Sequence, residues 1–304
     1  MKTPGNVNEV IARMPLMRRV RTFVLLPVVL YLCAAACAHA CTVFSDSQDG
    51  TVLAGRNWDM TECQPVMWSV PAHGMSHGRI CFGRHAGCED GMNDQGLFVA
   101  VAATPASGSF EPGERPMWCP VALDLLLANC GTVDEAVAWW EQHRNPAINS
   151  TIFRKYSILG ISLGRYVNSG VGGHIVISDK SGNSVICEWI KGKLTVIRKT
   201  GRYQLATNFL LSKPELGGSP CPRFAAATKI LDDAGRSSVA TCVETLKATC
   251  TPLTRYSAVY DLARGDIYVY CRGHFDNPKK VHLSEEIQKG AHEVKLYAWF
   301  GVQR

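Results

Sequence analysis

The chain has 304 residues, of which 46% are hydrophobic and 19% are charged, and its formal net charge is +6. This composition is typical of a globular protein with a sizeable core and excludes a disordered or low-complexity chain. The positive charge lies mainly in the first 40 residues: without them 27 basic and 25 acidic residues remain, a formal net charge of +2. The rest of the chain therefore gives no electrostatic indication of a nucleic-acid partner.

The first 40 residues have the pattern of an export signal. A basic cluster at 18–21 precedes an apolar run at 23–32. Ala38 and Ala40 then fit the A-x-A pattern of a signal peptidase site, directly before Cys41. The alternatives are a retained membrane anchor, for which the apolar run is short, and lipid attachment at Cys37.

We predict that residues 1–40 are a signal peptide that is removed, and that residues 41–304 form a single domain. The expected location is the periplasm or the extracellular medium, with no stable membrane association after cleavage. The sequence has thirteen cysteines, of which Cys33 and Cys37 lie in the signal. If Cys41 is kept for chemistry, ten remain, an even number that permits up to five disulfides in an oxidising compartment. Cys187, in an apolar run, is a candidate for a simple buried thiol.

The segment that follows, CTVFSDSQDGTVLAGRNWD, predicts strands at 41–46 and 51–57 joined by a turn at Asp49–Gly50. Residues 92–103 predict a turn and then an apolar strand. Thr132 and Glu135, three positions apart, have the spacing of a capping box and predict a helix after Gly131–Thr132.

The second half of the chain predicts two further groups of elements. Residues 173–197 predict three antiparallel strands with tight turns. Helices are predicted at 223–235 and over VATCVETLKATC, and a hairpin over SAVYDLARGDIYVYC. Strands at both ends with helices between them, and no regular alternation of strand and helix, favour an α+β fold with antiparallel sheets.

A mature N-terminal Cys41 would carry a thiol nucleophile and a base in one residue. An α-amine has a pKa near ~8, close enough to neutrality to accept the thiol proton and pass it to a leaving amine. Such chemistry breaks an amide or ester through an acyl-thioester. It needs a cation near the sulfur, a carboxylate to hold the amine, and two donors for the oxyanion.

The next predicted strand supplies candidates for the first two requirements. Arg56 and Asp59 differ by three positions, so they face opposite sides of a regular strand and converge on Cys41 only if the chain turns after Trp58. On spacing alone, a turn with an exposed ion pair is the simpler interpretation of this cluster.

Six groups of residues, in order along most of 41–275, resemble motifs of the choloylglycine hydrolase family of N-terminal nucleophile hydrolases, which includes bile salt hydrolases and penicillin V acylases. They are Cys41–Thr42 with Asp49–Gly50 and Gly55–Asp59, Gly91–Leu97, Ile177–Glu188, Thr207–Asn208, Pro222–Phe224 and Leu253–Tyr256. The resemblance implies a four-layer αββα sandwich of antiparallel sheets. It also implies hydrolysis of a linear carbon–nitrogen amide bond without a cofactor or a metal. The expected partner is a small-molecule amide with an apolar acyl group, and a dimer or tetramer is the expected assembly.

The resemblance also assigns roles to individual residues. Cys41 would be the nucleophile and its own α-amine the base. Arg56 would steady the thiolate and Asp59 would hold the amine. Asn208 would donate its side-chain amide to the oxyanion, and Arg223 would support the site beside the nucleophile.

A second oxyanion position in the family carries Asn or Tyr, and Ala103 stands there in this chain. Because alanine has no side-chain donor, the resemblance implies that only the backbone N–H of Ala103 donates to the oxyanion here.

Three other interpretations fit parts of the sequence. The first is an acyltransferase that shares the acyl-enzyme step. The second is a non-catalytic, disulfide-bonded, exported binding protein. The third is a zinc site, for which the ligand spacing is not a standard one. Its five candidate ligands are His73, His77, Cys81, His85 and Cys88.

Overall fold

The computed structural model describes residues 41–61, 63–84, 87–105, 117–143, 146–147, 152–158, 161–167 and 171–302. The predicted signal peptide lies outside these residues. The strands in the described part are β1 (Thr42–Gln48), β2 (Thr51–Asp59), β3 (Val66–Val70), β4 (Arg79–Arg84), β5 (Gly87–Asn93), β6 (Phe98–Pro105), β7 (Met117–Trp118), β8 (Pro146–Ala147), β9 (Ile152–Ile158), β10 (Ile161–Val167), β11 (Val171–Ser178), β12 (Ser184–Ile190), β13 (Lys193–Arg198), β14 (Tyr203–Ala206), β15 (Thr254–Asp261), β16 (Asp266–Cys271), β17 (His274–His282) and β18 (His292–Lys295). The helices are α1 (Cys119–Asn129), α2 (Val133–Gln142), α3 (Pro222–Asp233), α4 (Val239–Thr249), α5 (Leu283–Gln288) and α6 (Leu296–Trp299).

Two antiparallel sheets form the centre of the molecule. The six-stranded sheet has the order β14-β1-β2-β15-β16-β17, and the eight-stranded sheet has the order β13-β12-β11-β6-β5-β4-β3-β18. Their facing sides share one core, in which the rings of Tyr256 and Tyr260 from one sheet pack with those of Phe82 and Phe98 from the other. Two short pairs, β9–β10 and β7–β8, lie outside these sheets.

Each sheet carries a helical layer on its outer side. Helices α1 and α2 cover the eight-stranded sheet, where Leu126 and Val133 pack with Val99. Helices α3 and α4 cover the six-stranded sheet, where Leu231 and Leu246 pack with Phe44. The layer order is therefore α-β-β-α, and the predicted α+β sandwich of antiparallel sheets is confirmed.

The first hairpin forms as the sequence predicts. Asp49 and Gly50 both have positive φ, 51° and 77°, which is the backbone of a type I′ turn and matches the twist of the flanking strands. The strands are longer than predicted, because β1 continues to Gln48 and β2 continues to Asp59. Asp59 is thus part of the strand and does not follow its end.

Of the two hydrogen bonds of the predicted capping box at the start of α2, one forms and the other has a different partner. The Thr132 hydroxyl accepts the Glu135 backbone N–H at 3.2 Å, as in an N-cap. The Glu135 carboxylate, however, accepts the N–H of Gly131 at 2.7 Å. The carboxylate therefore binds the residue before the cap, and Glu135 still satisfies a free N–H at the helix N-terminus.

The predicted meander, the two later helices and the last hairpin agree with the structure. The meander is β11-β12-β13, the predicted helices are α3 and α4, and the last hairpin is β15–β16. Cys187 is fully buried on the outer side of the eight-stranded sheet, and burial raises its pKa to about 12.

The described cysteines give no support to the disulfide prediction, which stays a prediction from cysteine count and export. The free thiols are those of Cys41, Cys63, Cys81, Cys88, Cys130, Cys187, Cys221, Cys242, Cys250 and Cys271. Within the described ranges, no helix is long and apolar enough to cross a membrane.

Candidate active site

Cys41 lies immediately before β1, at the edge of the core between the two sheets. Its side chain is nearly buried. Its carbonyl oxygen accepts Nη1 of Arg223 at 2.8 Å. Helix α3 thus holds the backbone of Cys41 at the start of β1.

Arg56 crosses from β2 to the facing sheet and is fully buried. Its Nη1 donates to the carbonyl oxygens of Glu89 at 3.1 Å and Val101 at 2.6 Å, and its Nε lies 2.9 Å from Asp90 Oδ1. Its Nη2 has no hydrogen-bond partner among the described residues. Burial lowers the pKa of Arg56, but the surrounding negative charge, chiefly that of Asp90, outweighs this and raises it overall, so the guanidinium stays charged.

A carboxylate and two phenols hold that guanidinium in place. Asp90 accepts the hydroxyls of Tyr256 and Tyr260, the latter at 2.5 Å, besides its ion pair with Arg56. All four side chains are buried between the sheets. A buried ion pair needs such additional hydrogen bonds to offset the cost of desolvating its charges.

Asp59 presents one satisfied and one unsatisfied oxygen. Oδ1 accepts the Thr254 hydroxyl, whereas Oδ2 is buried with no hydrogen-bond partner in the described part of the chain. Burial raises the pKa of Asp59 to about 6, against the Thr254 hydrogen bond and the charges of Arg223 and Arg56, which lower it. An acceptor in this state is suited to binding a cationic amine.

Arg223 and Asn208 form the other side of the site. Nη2 of Arg223 donates to Oδ1 of Asn208 at 2.8 Å, and Nδ2 of Asn208 donates to the carbonyl oxygen of Ala103 at 2.8 Å. These two partners fix which way the amide points. One N–H of the Asn208 amide remains for a further acceptor.

The backbone of Ala103 offers a second donor. β6 pairs with β11 along one edge, but its pairing with β5 ends at Ala100. The carbonyl oxygens of Val101 and Ala103 point to the edge that β5 leaves free, since Arg56 and Asn208 donate to them. The N–H and C=O of one residue in a strand point to the same side, so the Ala103 N–H points there as well.

The thiol of Cys41 is neutral at ordinary pH in a chain that still carries residues 1–40. Burial raises its pKa to about 11, although the Arg56 charge lowers it; the Asp59 charge raises it further. Arg56 alone therefore does not produce a thiolate. A base next to the sulfur is needed to take the proton.

Direct hydrogen bonds link four of the residues that the sequence singles out, in the order Cys41, Arg223, Asn208 and Ala103. The other two, Arg56 and Asp59, lie close enough to Cys41 for their charges to shift its pKa. The conclusion that a turn with an exposed ion pair is simpler for Arg56 and Asp59 is wrong: both are buried and lie in β2. The pairing of β2 with β15 is irregular at this point, because the register shifts between Thr254 and Tyr256, opposite Asp59 and Trp58. No role is assigned from the sequence to Asp90, Thr254 or Tyr256, although the last two belong to the motif Leu253–Tyr256. A signal for Asp90 exists, because a carboxylate stands inside a fully buried strand and needs a partner there.

The candidate zinc ligands form no metal site where they are described. Among the described residues, no group of three or more His, Cys, Asp or Glu side chains could hold a metal ion. His85 lies outside those residues. Cys81 and Cys88 pack under α1 in the outer core of the eight-stranded sheet.

The fold is shared with solved structures of three hydrolases at low sequence identity. A penicillin V acylase from Agrobacterium tumefaciens is 17% identical, with 84% of this chain and 91% of that one covered and a TM-score of 0.61. A mutant of conjugated bile acid hydrolase from Clostridium perfringens is 18% identical, with 84% and 96% covered and a TM-score of 0.59. A Caenorhabditis elegans ortholog of N-acylethanolamine-hydrolysing acid amidase is 15% identical, with 84% and 100% covered and a TM-score of 0.51.

These likenesses confirm the four-layer αββα fold that the motifs imply. No protein-family model and no curated protein sequence matches the chain.

Proposed function

We propose that the protein is an exported amide hydrolase whose nucleophile is Cys41, set free at the N-terminus by removal of residues 1–40. The observation that carries this proposal is the bridge made by Arg223, which joins the Cys41 carbonyl to the Asn208 amide. The rigid guanidinium of Arg223 thus binds both Cys41, the proposed nucleophile, and Asn208, the proposed oxyanion donor. Proximity and orientation of this kind account for a large part of enzymatic rate enhancement.

In the first half of the reaction, the α-amine of Cys41 takes the thiol proton, with Asp59 Oδ2 as the acceptor that orients the amine. The sulfur attacks the substrate carbonyl carbon, and Arg56 Nη2 stabilises the negative sulfur. The oxyanion accepts the remaining Asn208 N–H and the Ala103 N–H. The amine then passes its proton to the leaving nitrogen, the carbon–nitrogen bond breaks, and an acyl-thioester remains on Cys41.

In the second half, water replaces the amine product. The α-amine takes a proton from the water, whose oxygen attacks the thioester carbonyl. The same two donors stabilise the new oxyanion. The carbon–sulfur bond breaks, the sulfur recovers its proton from the amine, and a carboxylic acid leaves.

The substrate class proposed is a linear amide with an apolar acyl group. The structural neighbours are named for penicillin V, conjugated bile acids and N-acylethanolamines, and each of these substrates has such an amide. The partly buried apolar side chains of Met60 and Leu211 pack against the core that contains Cys41. We propose that they contact the acyl chain of the substrate.

The test is amine release from a panel of these three kinds of amide by the chain that starts at Cys41. Cys41→Ser is expected to lower the rate by at least about 1,000-fold, since removal of a nucleophile has effects of that size or larger. Cys187→Ala is the matched control, because Cys187 is equally buried but lies on the outer side of the eight-stranded sheet. It is expected to stay within about twofold of the wild type.

Two results would contradict the proposal. One is full activity of Cys41→Ser, and the other is amine release without any acyl adduct on Cys41 in rapid-quench mass spectra. Transfer of the acyl group to an added amine in preference to water would keep the nucleophile and identify an acyltransferase.

A further inference from the structure

A buried histidine and a buried glutamate face each other close to the site. His174 on β11 and Glu188 on β12 are direct cross-strand neighbours, and neither is exposed to solvent. Their side chains are joined by Nδ1 of His174 and Oε1 of Glu188 at 3.2 Å. The proposed reaction uses neither residue.

The hydrogen bonds of the pair show which of its atoms face acceptors. Nε2 of His174 lies 2.8 Å from the carbonyl oxygen of Thr207, which can only accept, so this nitrogen is the donor. Burial raises the pKa of Glu188, but hydrogen bonds from His174 and Ser212 outweigh this effect and lower it overall. An ionised Glu188 can only accept as well, so both ring nitrogens of His174 face acceptors.

The pair holds both ends of one irregular segment, residues 207–212. His174 binds the carbonyl of Thr207 at its start. At its end, Glu188 Oε1 accepts the N–H of Leu211 at 2.7 Å, and Oε2 accepts the N–H and the hydroxyl of Ser212 at 3.0 and 2.5 Å. The segment has no helix or strand hydrogen bonds of its own, so these contacts hold its two ends.

Asn208 is the second residue of that segment. Its amide reaches the Ala103 carbonyl and Arg223, and a displacement of about 1 Å at a reacting group costs roughly 100-fold in rate. We propose that His174 and Glu188 are positioning residues: they fix the segment 207–212 so that the Asn208 amide meets the oxyanion on the acyl group at Cys41. This inference rests on the proposed function.

The test uses Glu188→Gln, which keeps the shape of the side chain but removes its charge and one acceptor. Acylation of Cys41 by an amide substrate is expected to slow by about 10- to 100-fold. Alkylation of Cys41 by iodoacetamide is expected to change by less than about twofold, because alkylation forms no oxyanion. A purely structural defect would lower both rates together.

Two further variants keep the test decisive. Ser212→Ala removes only the hydroxyl contact to Glu188, so it should change the ratio of acylation to alkylation in the same direction but by less. It replaces Glu188→Gln as the test if that variant fails to fold. Ser184→Ala is the matched control, because Ser184 is buried on the same strand and bonds Gln204 at 2.7 Å, away from the segment. This control should leave the ratio unchanged.

A double-mutant comparison and amide exchange complete the experiment. In an Asn208→Ala background, Glu188→Gln should cause no further loss of acylation, since it acts through Asn208. The Leu211 and Ser212 amides should exchange their hydrogens faster in Glu188→Gln. Additive losses, or parallel losses of acylation and alkylation, would overturn the positioning role. A wild-type chain that is never acylated would contradict the proposed function, and amide exchange would then decide the positioning by itself.

Discussion

Asp59 has a buried carboxylate with a free oxygen, and this has a consequence for stability. Its pKa of about 6 lies above the ordinary value of 3.8, so the folded protein binds a proton at Asp59 more tightly than the unfolded chain does. The stability contributed by Asp59 is therefore fully present below about pH 4 and is lost as pH rises towards 6. Above that, the ionised carboxylate costs on the order of 3 kcal/mol.

We expect Asp59→Asn to stabilise the chain that carries residues 1–40 at about pH 8, by roughly 1–3 kcal/mol in the free energy of unfolding. At about pH 4 the variant should match the wild type, because Asp59 is then protonated. Urea unfolding at the two pH values measures the difference.

In the chain that starts at Cys41 the gain from Asp59→Asn should be smaller, because the α-ammonium group partners the carboxylate. Activity should fall in that chain. If Asp59→Asn is no more stable than the wild type at about pH 8, the ionised Asp59 carboxylate does not destabilise the folded protein, and this account is contradicted.

At the residue scale the sequence alone indicates the nucleophile and little else. Cys41 stands out because it follows a cleavage motif, and Arg56 and Asp59 follow from the needs of a thiolate and an amine. Alternation in a strand places those two residues on opposite sides. Their positions in the site depend on tertiary contacts, of Thr254 with Asp59 and of Asp90 with Arg56, which the sequence does not indicate. Asn208 and Arg223 depend on the family resemblance, because nothing local distinguishes them from turn and helix-end residues.

At the scale of the element, the motif GRNWD in β2 makes contacts with three layers of the fold: the facing sheet, helix α4 and its own sheet. Arg56 points to the facing sheet, whereas Asn57 donates from Nδ2 to the carbonyl of Leu246 and the hydroxyl of Thr249 in α4, both at 2.9 Å. Asn57 also accepts the Ser257 hydroxyl at 2.6 Å. The first residue of the motif, Gly55, has a packing role.

Gly55 makes room for the ring of Phe44 on the neighbouring strand. The two residues are register partners, and a Cβ at Gly55 would lie 2.2 Å from Cζ of Phe44. We expect Gly55→Ala to destabilise the protein by about 1–3 kcal/mol, as overpacking does in a filled core. Thermal or urea unfolding measures the loss.

Gly201→Ala is the matched control for that variant. Nothing lies within 4 Å of the Cβ it would add, and Gly201 does not have a positive φ. It is expected to change stability by no more than about 0.5 kcal/mol. Equal stability of the two variants would contradict the account of Gly55 as a packing residue.

Strand prediction works where most of a strand is buried and the turn beside it has the right residues. The hairpins β1–β2, β11–β12 and β15–β16 meet both conditions. The edge strand β17 does not, since its sequence HFDNPKKVH includes proline and lysines and is largely exposed. Such residues protect an edge from further pairing and hide the strand from pattern analysis.

At the scale of the whole molecule, the site depends on segments far apart in the chain. The bond from Arg223 to Cys41 spans 182 positions, and that from Asn208 to Ala103 spans 105. Periodicity and turn chemistry indicate an α+β class, but they do not specify which strands adjoin. The four-layer order follows from the outer cores under α1–α2 and α3–α4, which no local pattern encodes.

The central claim is that Cys41 acts from the N-terminus, and the N-terminal sequence and intact mass of the active protein, recovered from the cells that produce it, test this most directly. The account predicts a chain that begins at Cys41 and gains one acyl group there when it is mixed with substrate. An active protein that begins upstream would keep the nitrogen of Cys41 in a peptide bond. The α-amine could not then serve as the base, and that result would contradict the mechanism.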